Sequence, residues 1–244
     1  MKRASTTALV GWAVALVLIA IGCTLGSWQL RRMHQKETML AQVDAVLRER
    51  VAKPLASAAD PARKDGYDWA AGNGRFLSQP AWLLDNQQRD GRPGVRVFRL
   101  FQPQAASMPM LVDMGWLPVD GARMMPKVGP ASSEAIEVRG LLLPPPSRGL
   151  MSGAETLTDE GQYLVIALDA ARIAARAGVP AIAPRVLRLD PAMPIGHARD
   201  LDVLPNTLPP ERHLGYAVQW FALAATVLVI AVLLTLRHIR RRRP

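Results

Sequence analysis

Two long stretches of the chain carry no charge at all: none lies between Arg3 and Arg31, and none between His213 and Arg237. Each exceeds the ~20 apolar residues with which a helix crosses a hydrocarbon core. Beyond Arg32, Met33, Leu40, Val43 and Leu47 recur at helical spacing, while Lys36, Glu37, Asp44 and Arg48 take other positions. The first helix therefore continues out of the membrane as a juxtamembrane helix, which Lys53-Pro54 should end. Residues 56–68 read as a linker.

The middle of the chain changes period. Residues 81–84, 95–101, 110–116, 135–142 and 185–189 are short runs rich in β-formers, separated by a polar turn over 85–94 and a break at Pro103. Short connections favour antiparallel pairing over βαβ crossovers. Asp169 caps an expected helix over 170–177, with Gly178 as its stop. Residues 144–160, opening on three prolines, read as irregular and exposed. The expectation is a membrane protein with two transmembrane α-helices flanking an α+β extracytoplasmic domain, mainly antiparallel β-sheet or open barrel. Its divisions are a cytoplasmic N-terminus (1–8), a first span (9–30), the outer domain (31–212), a second span (213–236) and a basic tail (237–244).

Charge refines the topology. The net charge is +10, yet every acidic residue lies between Glu37 and Glu211, and that stretch is close to neutral. The excess flanks the spans, at Lys2 and Arg3 and at Arg237, Arg240, Arg241, Arg242 and Arg243. The positive-inside rule puts both termini in the cytoplasm and the middle outside, against which only Arg31 and Arg32 argue. The basic tail has no interleaved aromatics and abuts a span, so it is a membrane anchor facing lipid, and no nucleic acid is expected. Cys23, the single cysteine, rules out a disulfide within the chain. The Ala20-Ile21-Gly22-Cys23 context leaves open a cleaved lipoprotein signal, although a small residue within a span is the simpler reading.

Candidate chemistry is sparse in the outer domain. None of the four histidines sits in a metal-ligand pair, and there is no nucleophile elbow, P-loop or dinucleotide fingerprint. Gly72-Asn73-Gly74 is a lone turn signal. No enzyme is expected, a membrane-bound hydrolase being the weakest of the alternatives. Attention falls instead on the outer ends of the spans. Leu25 to Arg32 closes the first; Arg212 to Phe221 opens the second. His213, Tyr216, Ala217 and Trp220 share one helical stripe that can face the first span. Trp28, Tyr216 and Trp220 also fit an ordinary aromatic belt, with Arg31, Arg32 and His213 at headgroups. Against that, Gln29 and Gln219, one in each span, need partners or a ligand. A haem would use a histidine as axial ligand, arginines for its propionates, and aromatics around the ring.

The same residues carry a family resemblance. Leu25, Gly26, Trp28, Gln29 and Arg32, with Lys36 beyond, match the L-G-x-W-Q-x-x-R motif that leaves the first span in the surfeit-locus-one family. His213, Tyr216, Trp220 and Phe221 match its H-x-x-Y-x-x-x-W opening of the second span. Gly74-Arg75-Phe76 matches its G-x-F, and Val112 to Pro118 resembles V-N-R-G-W-x-P, with Asp113 and Met114 replacing Asn and Arg before the turn glycine. The resemblance implies an assembly factor for a haem-copper terminal oxidase (cytochrome c oxidase). Such a protein would bind haem a transiently and assist its insertion into subunit I, possible partners being cytochrome c oxidase subunit I and haem a synthase. It carries haem-iron ligation onto His213, with Tyr216, Trp220, Trp28, Gln29 and Arg32 shaping the pocket. The alternative is a structural partner that stabilises subunit I without haem. The Ala, Arg and Pro content and the lack of an Arg-rich transit segment indicate a bacterial inner (plasma) membrane, with the central domain periplasmic.

Overall fold

The computed structural model describes residues 2–121, 124–146, 155–204 and 207–240. Its order is α1 (Lys2–Glu49), β1 (Lys53–Pro54), β2 (Asp68–Phe76), β3 (Trp82–Arg89), β4 (Arg92–Pro103), β5 (Met110–Pro118), β6 (Ile136–Leu143), β7 (Thr156–Leu157), β8 (Tyr163–Val165), α2 (Ala170–Ala177), β9 (Val186–Leu189) and α3 (Pro210–Arg240). Two short 3-10 turns, Leu55–Ala59 and Pro61–Arg63, fill the expected linker. The chain forms two compact units, one of Met1–Ala41 with Thr207–Pro244 and the other of Gln42–Asn206.

In the first unit, α1 and α3 are the two helices long and apolar enough to cross a membrane. Their contacts run in opposite order along the two chains. The Trp12 Nε1 donates to Thr235 Oγ1 at 2.9 Å; Gly22 lies against Ala224, Gly26 against the Phe221 ring, and Gln29 against His213. The pair is therefore antiparallel. Its seam is built of small residues, because Ala15, Ala217 and Ala224 are buried. A Cβ on Gly26 would stand 2.8 Å from the Phe221 ring, and one on Gly22 3.0 Å from the Ala224 Cβ. Apolar helices in lipid gain little from burial alone, so close backbone approach supplies their contact.

In the second unit the strands form a ring. β2 pairs with β6, β6 with β9, β9 with β5, β5 with β4, and the far end of β4 returns to β2 through Gly74↔Pro103, Arg75↔Gln102 and Phe76↔Phe101. Along its first half β4 pairs instead with β3, which extends the sheet through β8 to β7. Side chains alternating inward, among them Leu83, Val95, Val97, Phe101, Val112, Val138, Leu142 and Leu187, fill the ring. The opposite face of β3, β4 and β5 presents Trp82, Leu84, Phe98, Leu100 and Leu111, which Ile173 and Ala174 of α2 help to cover. α2 starts and stops as expected: the Asp169 carboxylate accepts from the Ala171 and Arg172 amides, and Gly178 closes it at φ 67°.

The sheet is mainly antiparallel, as expected, but it is mixed: β1–β2, β3–β8 and β5–β9 are parallel. The polar stretch 85–94 is a hairpin whose turn is only Asp90-Gly91, both at positive φ (51° and 75°). Gly72-Asn73-Gly74 is strand, not turn. A Cβ on Gly74 would come within 2.3 Å of the Gln102 carbonyl, so glycine is what lets β2 close on β4. The expected irregular stretch 144–160 contains β7, and residues 147–154 lie outside the described set.

Three buried carboxylates hold the strands together. Asp68 accepts from Lys53 Nζ at 2.6 Å, from Arg63 through both Nε (2.9 Å) and Nη2 (2.6 Å), and from Arg185 Nη1 at 2.6 Å. Burial works to raise its pKa, but these three cations outweigh it and hold the carboxyl at about 2. Asp190 accepts from Arg139 at 3.1 Å with Arg50 at 3.8 Å. Asp113 takes Arg96 Nη1 at 2.9 Å and Arg188 Nε at 3.0 Å on one oxygen, and the Gly115 amide at 3.0 Å on the other. The Asp113-Met114-Gly115 segment is accordingly a bulge inside β5, opposite Val97 and Phe98, and not a turn. Gly115 takes φ 108° there, and Asp113 joins β4 to β9.

Candidate functional site

The predicted site residues belong to α1 and α3, and the antiparallel seam decides which of them meet. His213 is the first polar side chain on the α3 stripe that continues through Ala217 and Ala224. It is 6 % exposed. One residue inside the end of the charge-free run of α1, Gln29 reaches it: the His213 Nδ1 stands 2.7 Å from Gln29 Oε1. An amide oxygen only accepts, so Nδ1 carries the proton and donates. The neutral ring then has its lone pair on Nε2. That atom is buried and has no hydrogen-bond partner among the described residues.

The remaining candidates divide. Trp220 is half-buried, and its carbonyl lies against Gly22. Trp28 and Tyr216 point outward, at 50 % and 41 % exposure, and Gln219 is exposed as well. Arg32 is exposed and donates to Gln35 Oε1 at 3.2 Å within its own helix. The structure thus brings Gln29 and His213 together, while Trp28, Tyr216 and Arg32 make no bond to either. Lys36, one turn beyond Arg32, donates to the Leu208 carbonyl just before α3. Burial first, and the neighbouring Arg32 second, push its ammonium below the usual lysine range.

A histidine whose one nitrogen is fixed by an acceptor and whose other presents a buried lone pair has the disposition of an axial metal ligand. The donor set fits one protein ligand to a haem iron and no more: among the described residues no group of three His, Cys, Asp or Glu is placed to hold a bare metal ion. Exposed aromatic faces at Trp28 and Tyr216, and cations at Arg32 and Lys36, are the residue types that accompany a macrocycle bearing propionates.

Two features escaped the sequence reading. The Gly22-x-x-x-Gly26 spacing, a known signal for close helix contact, marks the face of α1 that receives α3. Arg99 and His197 in the second unit line a cleft that no motif signals.

No curated protein matches the chain. The family model described as SURF1 family matches residues 16–225, which take in both helix-end motifs and all the strands between them. With nearly its whole length matched, including Gln29 and His213, the chain belongs to the SURF1 family.

Proposed function

We propose that this protein holds haem a transiently at His213 during the assembly of cytochrome c oxidase and assists its transfer into subunit I. The SURF1 family is associated with assembly of that oxidase. The observation that carries the haem reading is the buried, unpartnered Nε2 of His213 beside a nitrogen already fixed by Gln29. Leaving such an atom unpaired costs about 1–3 kcal/mol, which a coordinating iron would offset. Haem, when bound, would supply the iron that His213 would hold. This chain's part would be to fix the tautomer and orientation of the imidazole through Gln29, with Arg32 and Lys36 offered to carboxylates and Trp28, Tyr216 and Trp220 to the ring. Transient holding would suit a single protein ligand, His213.

The arginines after the second span support termini in the cytoplasm and an outer unit in the periplasm of a bacterial inner membrane. Subunit I and haem a synthase are the partners this reading requires, one receiving and one supplying the cofactor. The test is the absorption spectrum of protein purified in detergent from cells that make haem a, with His213→Ala beside it. A haem a spectrum that is lost in the variant is expected; equal haem content in both would overturn the ligand assignment. A second reading, a structural partner of subunit I without haem, is favoured by the outward-facing Trp28 and Tyr216, which also suit an aromatic belt. It predicts no haem in either protein and undiminished association of the variant with the oxidase.

A further inference from the structure

The outer unit has an arginine that breaks the rule its other buried arginines follow. Arg96, Arg185 and Arg188 each reach a carboxylate, Asp113 or Asp68, within 3.0 Å. Arg99, on β4, is equally buried at 6 % exposure. Among the described residues its one hydrogen bond is to the Gly129 carbonyl, and no carboxylate lies within ion-pairing distance. Burial alone pushes its pKa below the usual arginine range, without neutralising it. A desolvated guanidinium without a counter-charge is costly, and such a charge is ordinarily paired.

Arg99 lines a cleft of about 600 Å³, within the size range of small-molecule sites. His197 lines it too. That residue is held over the bulge in β5 by its amide bond to the Met114 carbonyl at 2.7 Å. The approach requires two glycines: a Cβ on Gly196 would stand 2.4 Å from the Met114 carbonyl, and one on Gly115 2.7 Å from that of His197. The His197 ring makes no hydrogen bond among the described residues. Burial, then Arg99, then Arg199 lower its pKa, so it faces the cleft as a neutral donor or acceptor. The rest of the lining is mainly apolar, with Phe76, Met114, Ile136 and Ile195, and the one acid in it, Glu134, is exposed at the rim.

We infer that this cleft binds a small amphipathic carboxylate, its anionic group on Arg99 and His197 and its apolar body along Phe76, Met114, Ile136 and Ile195. The inference stands apart from the haem reading, because every residue in it belongs to the outer unit. An anion supplies the counter-charge that Arg99 lacks, and the apolar wall selects against inorganic anions, which have no surface to bury there.

The probe is 4-(trifluoromethyl)benzoate, titrated against the full chain in nanodiscs and followed by its ¹⁹F resonance. The neutral 4-(trifluoromethyl)benzyl alcohol is the control. Saturable binding of the carboxylate, at least tenfold tighter than the alcohol, is expected. Arg99→Gln should weaken it at least tenfold, and Glu134→Gln should leave it unchanged or tighter. Ser132→Trp, an exposed position that fills the cleft mouth, should abolish binding in a protein with a native circular dichroism spectrum, and so provides a test should Arg99→Gln fail to fold. Equal affinity for acid and alcohol, or binding undiminished in Ser132→Trp, would overturn the inference. So would a blocked glutamate peptide that displaces the benzoate and binds more tightly, since that would make the cleft a protein-docking site.

Discussion

Acid should loosen the unit of residues 42–206 through Asp68 in a way that a single substitution isolates. The carboxyl is nearly fully buried among Lys53, Arg63 and Arg185 and titrates at about 2 instead of 3.8. A depressed folded value means that the unfolded chain takes up the proton first, so the stabilisation is complete above about pH 4 and disappears as the pH falls toward 2. At 1.36 kcal/mol per unit, the gap between 3.8 and about 2 corresponds to about 2.5 kcal/mol. Asp68→Asn removes the titration while keeping the shape. Urea unfolding of the full chain in detergent, followed by near-ultraviolet circular dichroism at pH 7, 5, 3.5 and 2, gives the stability difference between wild type and variant. Titrations common to both proteins, such as that of Asp190, cancel in this difference. It should be constant from pH 7 to 5 and then shrink by about 2 kcal/mol by pH 2. A difference that stays flat to pH 2, or that collapses already between pH 6 and 5, would refute the assignment of Asp68 as an ion-paired carboxylate.

Other consequences follow from the same geometry. Asp113→Ala strands two buried guanidiniums, Arg96 and Arg188, and should cost about 3–5 kcal/mol in the same unfolding assay, whereas Glu134→Ala at the exposed rim should cost less than about 0.5 kcal/mol. Gly26→Leu drives a side chain into the Phe221 ring and should weaken the α1–α3 pair by about 1–3 kcal/mol, read as a lowered thermal midpoint of the helical signal in detergent. With Cys23 replaced by serine, a cysteine at Asp90, on the exposed hairpin turn, should react with a membrane-impermeant maleimide in intact spheroplasts. One at Arg240 should react only after permeabilisation; the reverse pattern would invert the topology.

The parts of this fold that were legible in the sequence are those whose pattern is local. Two charge-free runs announce α1 and α3; runs of β-formers at 95–101 and 110–116 announce β4 and β5; Asp169 and Gly178 bracket α2. β2 was hidden because Asp68–Phe76 contains Ala70, Ala71, Gly72 and Gly74, small residues that read as a loop. They are there because Leu55 packs over Gly72 and the Gln102 carbonyl crowds Gly74, contacts with residues far away in sequence or with a turn that the sequence did not reveal. The parallel β5–β9 pair was missed for a related reason. Between β6 and β9 the chain travels through β7, β8 and α2, so adjacency of elements in sequence says little about β9's neighbours. At the site, Gln29 and His213 were each recognisable, but their bond depends on the register of two helices, which the small residues Gly22, Gly26, Ala217 and Ala224 set by contact.

His213 and Arg99 ask for opposite chemistry, and this bears on whether one ligand serves both. His213 offers a lone pair, and its complement is an electrophile such as a metal ion. Arg99 offers only N–H donors and a positive charge, and its complement is an anion. Arg96 and Arg185 also keep a buried Nε unpaired, but each has a carboxylate on another nitrogen, so their charge is compensated and only one dipole is not. Arg99 is short of a whole charge. The sites lie in different units and are separable by experiment: His213→Ala should lose haem and retain benzoate binding, while Ser132→Trp should do the converse. Loss of both ligands from either variant would mean that a single molecule, or a coupling between the units, links the two, and the separate assignments made for His213 and Arg99 would then have to be replaced by one.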